Sequence, residues 1–231
     1  GDVYKRQQME GTVNSVGDVN NDGREDVAFV RDTHAYIYTD LHQGGTVDVA
    51  AHQYSYVFSE ALNRAIDVQA EEIQSLGIRA VLTRGSMSLS QENGGLPPSN
   101  VVQAEDVILK ESQRLIDQWH DRSEGAMLQI ALAPCSPFSV TEELMSASAQ
   151  LALEKKVLLH THLAETSGEN SFCEKLYGCR PLDYLERVGW LSSKVWLAHG
   201  IHFSPEEIQR IGSAKTGICH CPSSNMLLAS G

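Results

Sequence analysis

No apolar run in these 231 residues approaches the ~20 needed to cross a bilayer, and no charged-then-apolar leader opens the chain. Neither a membrane partner nor export is expected, and the expected location is the cytoplasm. Positive charge is scarce: 18 Lys and Arg stand against 30 Asp and Glu, a net charge of -12, and no basic stripe is visible. A nucleic-acid backbone is therefore not an expected partner. C-x-x-C pairs are missing too. The cysteines at 135, 173, 179, 219 and 221 include two that flank His220, but a zinc knuckle needs a second pair. Reduced thiols are the expectation.

Histidine, in contrast, is placed with a pattern. Of nine, five lie between residues 160 and 220. Val157-Leu158-Leu159-His160-Thr161-His162-Leu163-Ala164-Glu165-Thr166 reads as a buried strand ending in polar residues. Residues two apart on a strand face one side, so His160 and His162 are expected together, with Glu165 turning back over the same space. Two partly buried histidines of no special role would read the same way from this stretch alone. The pattern recurs, however. Val195-Trp196-Leu197-Ala198-His199-Gly200-Ile201-His202 and Thr216-Gly217-Ile218-Cys219-His220-Cys221-Pro222-Ser223-Ser224-Asn225 are further apolar runs ending in histidine.

HTHLAET, WLAHGIHF and HCPSSNMLLASG resemble the fifth, sixth and seventh strands of the amidohydrolase superfamily. The branch they resemble holds metal-dependent aminohydrolases of purines and triazines. Arg84-Gly85-Ser86-Met87-Ser88-Leu89, Gly94-Gly95-Leu96-Pro97-Pro98 and Ala133-Pro134-Cys135-Ser136-Pro137-Phe138 extend the resemblance, which runs from about Tyr54 to Gly231. It implies hydrolysis of an exocyclic amine on a purine-like base, 8-oxoguanine to urate and ammonia, with a triazine or cytosine-type substrate as the alternative. It also implies one divalent metal, zinc or else iron, which brings the pKa of water down to about 7.

By the same resemblance His162 is the metal ligand, Glu165 the proton carrier, and His199 the group that orients water or substrate. His160, Cys135 and Arg84 are the implied substrate-binding residues. Arg84 is equally suited to pairing an acid within the structure. His202 and His220 are expected to be structural. The other class of zinc deaminase, with H-x-E and P-C-x-x-C on a different fold, is excluded because neither motif occurs.

Strands alternate with helices: 60–76 ending at Gly77, 102–120, a helix after a Ser139-to-Glu142 capping box, and a helix from Pro205 capped by Ser204. Residues 167–190 read as a polar loop with a short helix from Pro181, and 94–100 as a loop. This order predicts an α/β fold, an incomplete (β/α)8 TIM-like barrel with parallel strands and outer helices. A closed barrel needs about 250 residues.

Two features of the resembled family are missing. No H-x-H precedes residue 160, and the chain stops before an eighth strand with its aspartate. The chain alone is therefore expected to bind metal poorly and to turn over little. Residues 1–45 stand outside the resemblance and are expected to be an unrelated segment, with 46–231 the partial barrel. Asp18, Asn20, Asp22 and Asp26 resemble the calcium loop of an FG-GAP propeller repeat, followed by a strand at Val27–Val30. Phe29 stands where an EF-hand needs glutamate. A non-enzymatic calcium-loop interaction module is the remaining alternative; a small-molecule substrate and a homo-oligomer are compatible with the rest.

Overall fold

The computed structural model describes residues 12–17, 26–31, 34–38, 53–54 and 58–230, with side chains from residue 65 onward. It divides into two units, residues 1–63 and 64–231. In the first, β1 (Thr12–Gly17), β2 (Asp26–Arg31), β3 (His34–Tyr38) and β4 (Gln53–Tyr54) form an antiparallel sheet in chain order. β2 contains the strand expected at Val27–Val30. The calcium loop proper lies outside the described residues.

Helix α1 (Phe58–Leu76) crosses the division and stops at Gly77, whose φ of 65° a side chain would resist. The second unit is then a repeated strand–helix alternation. Its strands are β5 (Ala80–Ser86), β6 (Leu128–Pro134), β7 (Leu158–Leu163), β8 (Val195–His199) and β9 (Gly217–Cys219). They form a five-stranded parallel sheet in sequence order, as successive crossovers of one hand require. The fold is α/β, an incomplete barrel.

The helices are α2 (Glu105–Trp119), α3 (Glu142–Lys155), α4 (Gly168–Tyr177), α5 (Pro181–Arg187), α6 (Pro205–Ala214) and α7 (Pro222–Leu228). Ile108, Leu115 and Ile116 of α2 are buried at the i, i+7, i+8 spacing of one helix face. They join Ile130, Leu132, Leu163 and Leu197 of the strands in one core. Full burial of each such side chain contributes roughly 1.5–3 kcal/mol. Among the described residues, no helix is long and apolar enough to cross a membrane.

Two expectations need correction. The α3 cap is Thr141, whose Oγ1 accepts from Leu144 N at 3.1 Å, while Ser139 bonds Ser136 instead. Residues 168–177 are helix rather than loop. Their polar majority conceals a narrow inward stripe: Cys173 is buried, and Phe172 packs edge-on against Phe138 at 5.7 Å. The Ser204 capping box on α6 is present in full, with Glu207 N donating to Ser204 Oγ at 3.2 Å and Ser204 N to Glu207 Oε2 at 2.7 Å.

Candidate active site

Alternation along the strands sorts the side chains before any of them meets a ligand. On β7, Leu159, Thr161 and Leu163 are buried toward the helices, so His160 and His162 share the other face. The register continues sideways: His160 is level with Trp196, and His162 with Ala198. The His160 ring stacks on Trp196 at 4.6 Å, and its Nδ1 donates to the Trp196 carbonyl at 3.0 Å. Burial pushes its imidazole below the usual value.

His162 is tied to the end of β6. Its Nδ1 lies 2.7 Å from the Cys135 carbonyl, which can only accept, so Nδ1 carries the hydrogen and Nε2 is left to face the site. The Cys135 Sγ stands 4.0 Å from the same nitrogen. The Cys135 side chain first, then its carbonyl, push the imidazole up to about 9 against burial. Proton and metal would compete for the Nε2 lone pair.

His199 should not reach this group by strand parity. It is level with Leu163 on the helix-facing side. The chain turns there instead, with φ of 72° at His199 and 69° at Gly200. The left-handed turn places the His199 ring 5.5 Å from that of His162. A non-glycine residue in this region costs on the order of 1–3 kcal/mol, and such strain is concentrated where it has a use. At Gly200 a Cβ would sit 3.1 Å from Phe203 and 3.2 Å from Ile218, tighter than ordinary contact, in a conformation that side chains resist. Asn225 on α7 steadies the ring: its Oδ1 accepts from His199 Nδ1 at 3.2 Å while its Nδ2 donates to Ser230 Oγ at 2.9 Å. The His199 Nε2 then faces Glu165 Oε1 at 3.5 Å.

Glu165 reaches that position through a second left-handed residue, Ala164, with φ of 53°. Behind this turn lies Glu169, 5% exposed, accepting from the amides of Ala164 (2.6 Å), Glu165 (2.7 Å) and Thr166 (3.2 Å). Burial pushes its carboxyl above the usual range while the three amides pull it back.

The structure thus brings together His160, His162, Glu165, His199 and Cys135. Arg84 is apart. It is level with Leu132, which is level with Leu159, and so points to the helix side of the sheet. It is 4% exposed, donates to Gln103 Oε1 at 2.9 Å and to the Gly85 carbonyl, and its Nε has no partner. Burial lowers its pKa, with Glu111 opposing that shift. His202 Nε2 donates to the Ser230 carbonyl at 3.0 Å, and His220 is exposed.

Two residues of this site carry no signal in the histidine pattern. Asn225 lies inside HCPSSNMLLASG, and Glu169 closes a Thr166-x-x-Glu169 spacing that ordinarily announces a helix start. The second signal was there to be read.

The His162 Nδ1 is held by a carbonyl, which leaves Nε2 as the nitrogen able to meet a metal. Among the described residues, no three His, Cys, Asp or Glu side chains converge to hold an ion. The donor set therefore fits one ligand of a metal centre. All five cysteines are free thiols.

Residues 12–231 match the family model described as Amidohydrolase family. The chain is 60% identical over 181 residues to 8-oxoguanine deaminase of Pseudomonas aeruginosa, covering 78% of this chain and 40% of that one. It is 34% identical over 184 residues to hydroxydechloroatrazine ethylaminohydrolase of Pseudomonas sp. strain ADP, covering 80% and 38%. The crystal structure of atrazine chlorohydrolase from Arthrobacter aurescens complexed with zinc superposes with a TM-score of 0.69 at 35% identity, over 72% of this chain and 36% of that one. The chain thus spans about two fifths of the length of the curated relatives it matches.

Proposed function

Since this chain belongs to the amidohydrolase family, we propose that it carries part of the active site of a hydrolytic deaminase of a purine-like base. The substrate is 8-oxoguanine: water adds at the ring carbon, the exocyclic amine leaves as ammonia, and urate remains. The observation that carries this reading is Glu165 Oε1 held 3.5 Å from His199 Nε2, beside a His162 ring 5.5 Å from that of His199. A carboxylate, an oriented imidazole and an imidazole able to bind metal, brought side by side, are the parts that amine hydrolysis needs.

Glu165 takes one proton from the attacking water and passes it to the ring nitrogen, then takes the second from the added hydroxyl and passes it to the departing amine. A placed acid–base group of this kind contributes about 10²–10⁴ in rate. His199, its Nδ1 committed to Asn225, orients water or substrate through Nε2. His162 offers Nε2 to a divalent metal, which when bound supplies a water of pKa about 7. Zinc is the metal that best accords with the zinc-bound atrazine chlorohydrolase, and iron is the alternative. His160, stacked on Trp196, and Cys135 stand beside this group and would contact the base. The position of Arg84 favours its structural role over substrate contact.

The remaining ligands and any residue that completes the site belong to parts outside the described residues, and the chain by itself turns over little. A cytoplasmic location, a small-molecule partner and a homo-oligomer belong to the same reading. The test is ammonia release by the whole enzyme from 8-oxoguanine, guanine, isoxanthopterin and hydroxylated triazines. Preference for 8-oxoguanine supports the reading. Preference for a triazine replaces it with the second one, which the likeness to hydroxydechloroatrazine ethylaminohydrolase favours.

A further inference from the structure

Glu169 is the buried carboxylate that the proposed chemistry does not use. It sits on the second residue of α4, and an acid there would ordinarily serve the first amides of its own helix. Glu169 does something else. Its Oε2 accepts from Ala164 N at 2.6 Å, and its Oε1 from Glu165 N at 2.7 Å and Thr166 N at 3.2 Å. All three amides lie before Ser167, the residue at the helix cap, and the Ser167 side chain makes no capping bond. The carboxylate therefore holds the loop between β7 and α4. Successive amides converging on one point make an anion-binding concavity, and here the chain fills it with its own acid.

The loop so held is the one that carries Glu165. Ala164 adopts φ of 53°, a conformation that a non-glycine residue keeps only when its surroundings impose it. The two shortest of the three bonds fall on Ala164 and on Glu165 itself. We propose that Glu169 is a positioning residue: through the amides of Ala164, Glu165 and Thr166 it sets the direction of the Glu165 carboxylate toward His199. The inference rests on the reading of Glu165 as the proton carrier.

A residue that only stabilised α4 would change the melting temperature and nothing at the site. The discriminating readout is the ring-nitrogen chemical shift of His199, measured on the full 231-residue chain with labelled histidine at one fixed pH. E165Q first defines the signal of a ring that has lost its carboxylate. E169Q, which sets an amide NH2 against at least one backbone N–H, is expected to reproduce the E165Q shift. G178A is the control. Gly178 ends α4 at φ of 68°, with open space where a Cβ would stand, so alanine there strains the far end of the same helix and leaves the loop alone. It should lower the melting temperature and leave His199 at its wild-type position.

An E169Q chain that melts lower yet keeps the wild-type His199 signal overturns the inference. If E169Q does not fold, E169D is read in its place. It keeps the charge but withdraws it by one methylene, and an intermediate shift is expected, whereas a wild-type signal overturns the idea. Should E165Q itself leave His199 unmoved, the Glu165–His199 pairing fails, and with it both the proposed function and this inference. In the whole enzyme, misdirecting the carboxylate is expected to lower kcat by up to about 10²-fold with KM unchanged; an E169Q enzyme with wild-type kcat would also overturn it.

Discussion

The two faces of the five-stranded sheet differ in almost everything but their backbone. On the helix side, Leu132, Leu163 and Leu197 are sealed, and even Arg84 and Thr161 are buried. On the other side, His160, His162 and Trp196 are half-buried, while Val81 and Cys219 are exposed. The strand period of two assigns alternate residues of one short segment to these two environments. The comparison teaches that stability and chemistry are separable in this molecule, with one side holding the strands in place and the other displaying imidazoles. They meet only at the strand ends, where left-handed turns at Ala164 and His199 redirect the chain.

Substitutions can test that separation. The largest effect is expected on the histidine side: E165Q in the whole enzyme should lower kcat by about 10²–10⁴-fold, read as ammonia release, at an unchanged melting temperature. Retention of activity within a few-fold would remove Glu165 from the mechanism. On the helix side, L197A should cost about 2–5 kcal/mol in urea unfolding because it empties a fully buried position. V81A, on the exposed face of the same sheet, should stay within about 0.5 kcal/mol. Equal losses at the two positions would break the comparison.

Smaller effects sharpen it. S204A removes the α6 capping box and should cost about 1 kcal/mol without altering the His162 and His199 ring signals. His120 accepts from Ile130 N at 3.0 Å through Nδ1, which it can do only when that nitrogen is unprotonated, and burial holds its pKa below the ordinary value. The unfolded ring therefore takes up a proton more readily than the folded one. The stability that the neutral ring contributes is present above about pH 6.5 and lost as pH falls through the lower folded value. The urea midpoint should drop over this window, and less so in H120N, whose side-chain oxygen can still accept the amide. An equal drop in H120N would assign the dependence elsewhere. Smallest of all, zinc added to this chain should leave its melting temperature unchanged, since one imidazole binds an ion too weakly to shift the folding equilibrium. A zinc-dependent rise would reveal further ligands.

Much of the sheet was legible in advance because its cues are local. Apolar runs, a glycine after Leu76 and a serine–proline–glutamate start at 204 mark elements without reference to the rest of the chain. His160 and His162 follow from spacing alone. Helix α4 was not legible as such, because a polar segment declares a helix only once Cys173 and Phe172 find something to pack against. Arg84 stayed between two readings for a related reason: lying at a strand end says nothing about which face a residue occupies until the register with Leu132 and Leu159 is known.

Residue order alone dictated where the strands and most helices lie, and which imidazoles alternate with leucines, because propensity and period act over a few neighbouring positions. Only the assembled fold decided that His199 leaves its strand's parity to meet His162, that Asn225 orients it, and that Glu169 grips the loop beneath Glu165. Those contacts join residues from separate strands and helices, or depend on backbone conformations that local preference disfavours. Packing and hydrogen bonding across the assembled unit are what make them the lowest-energy choice.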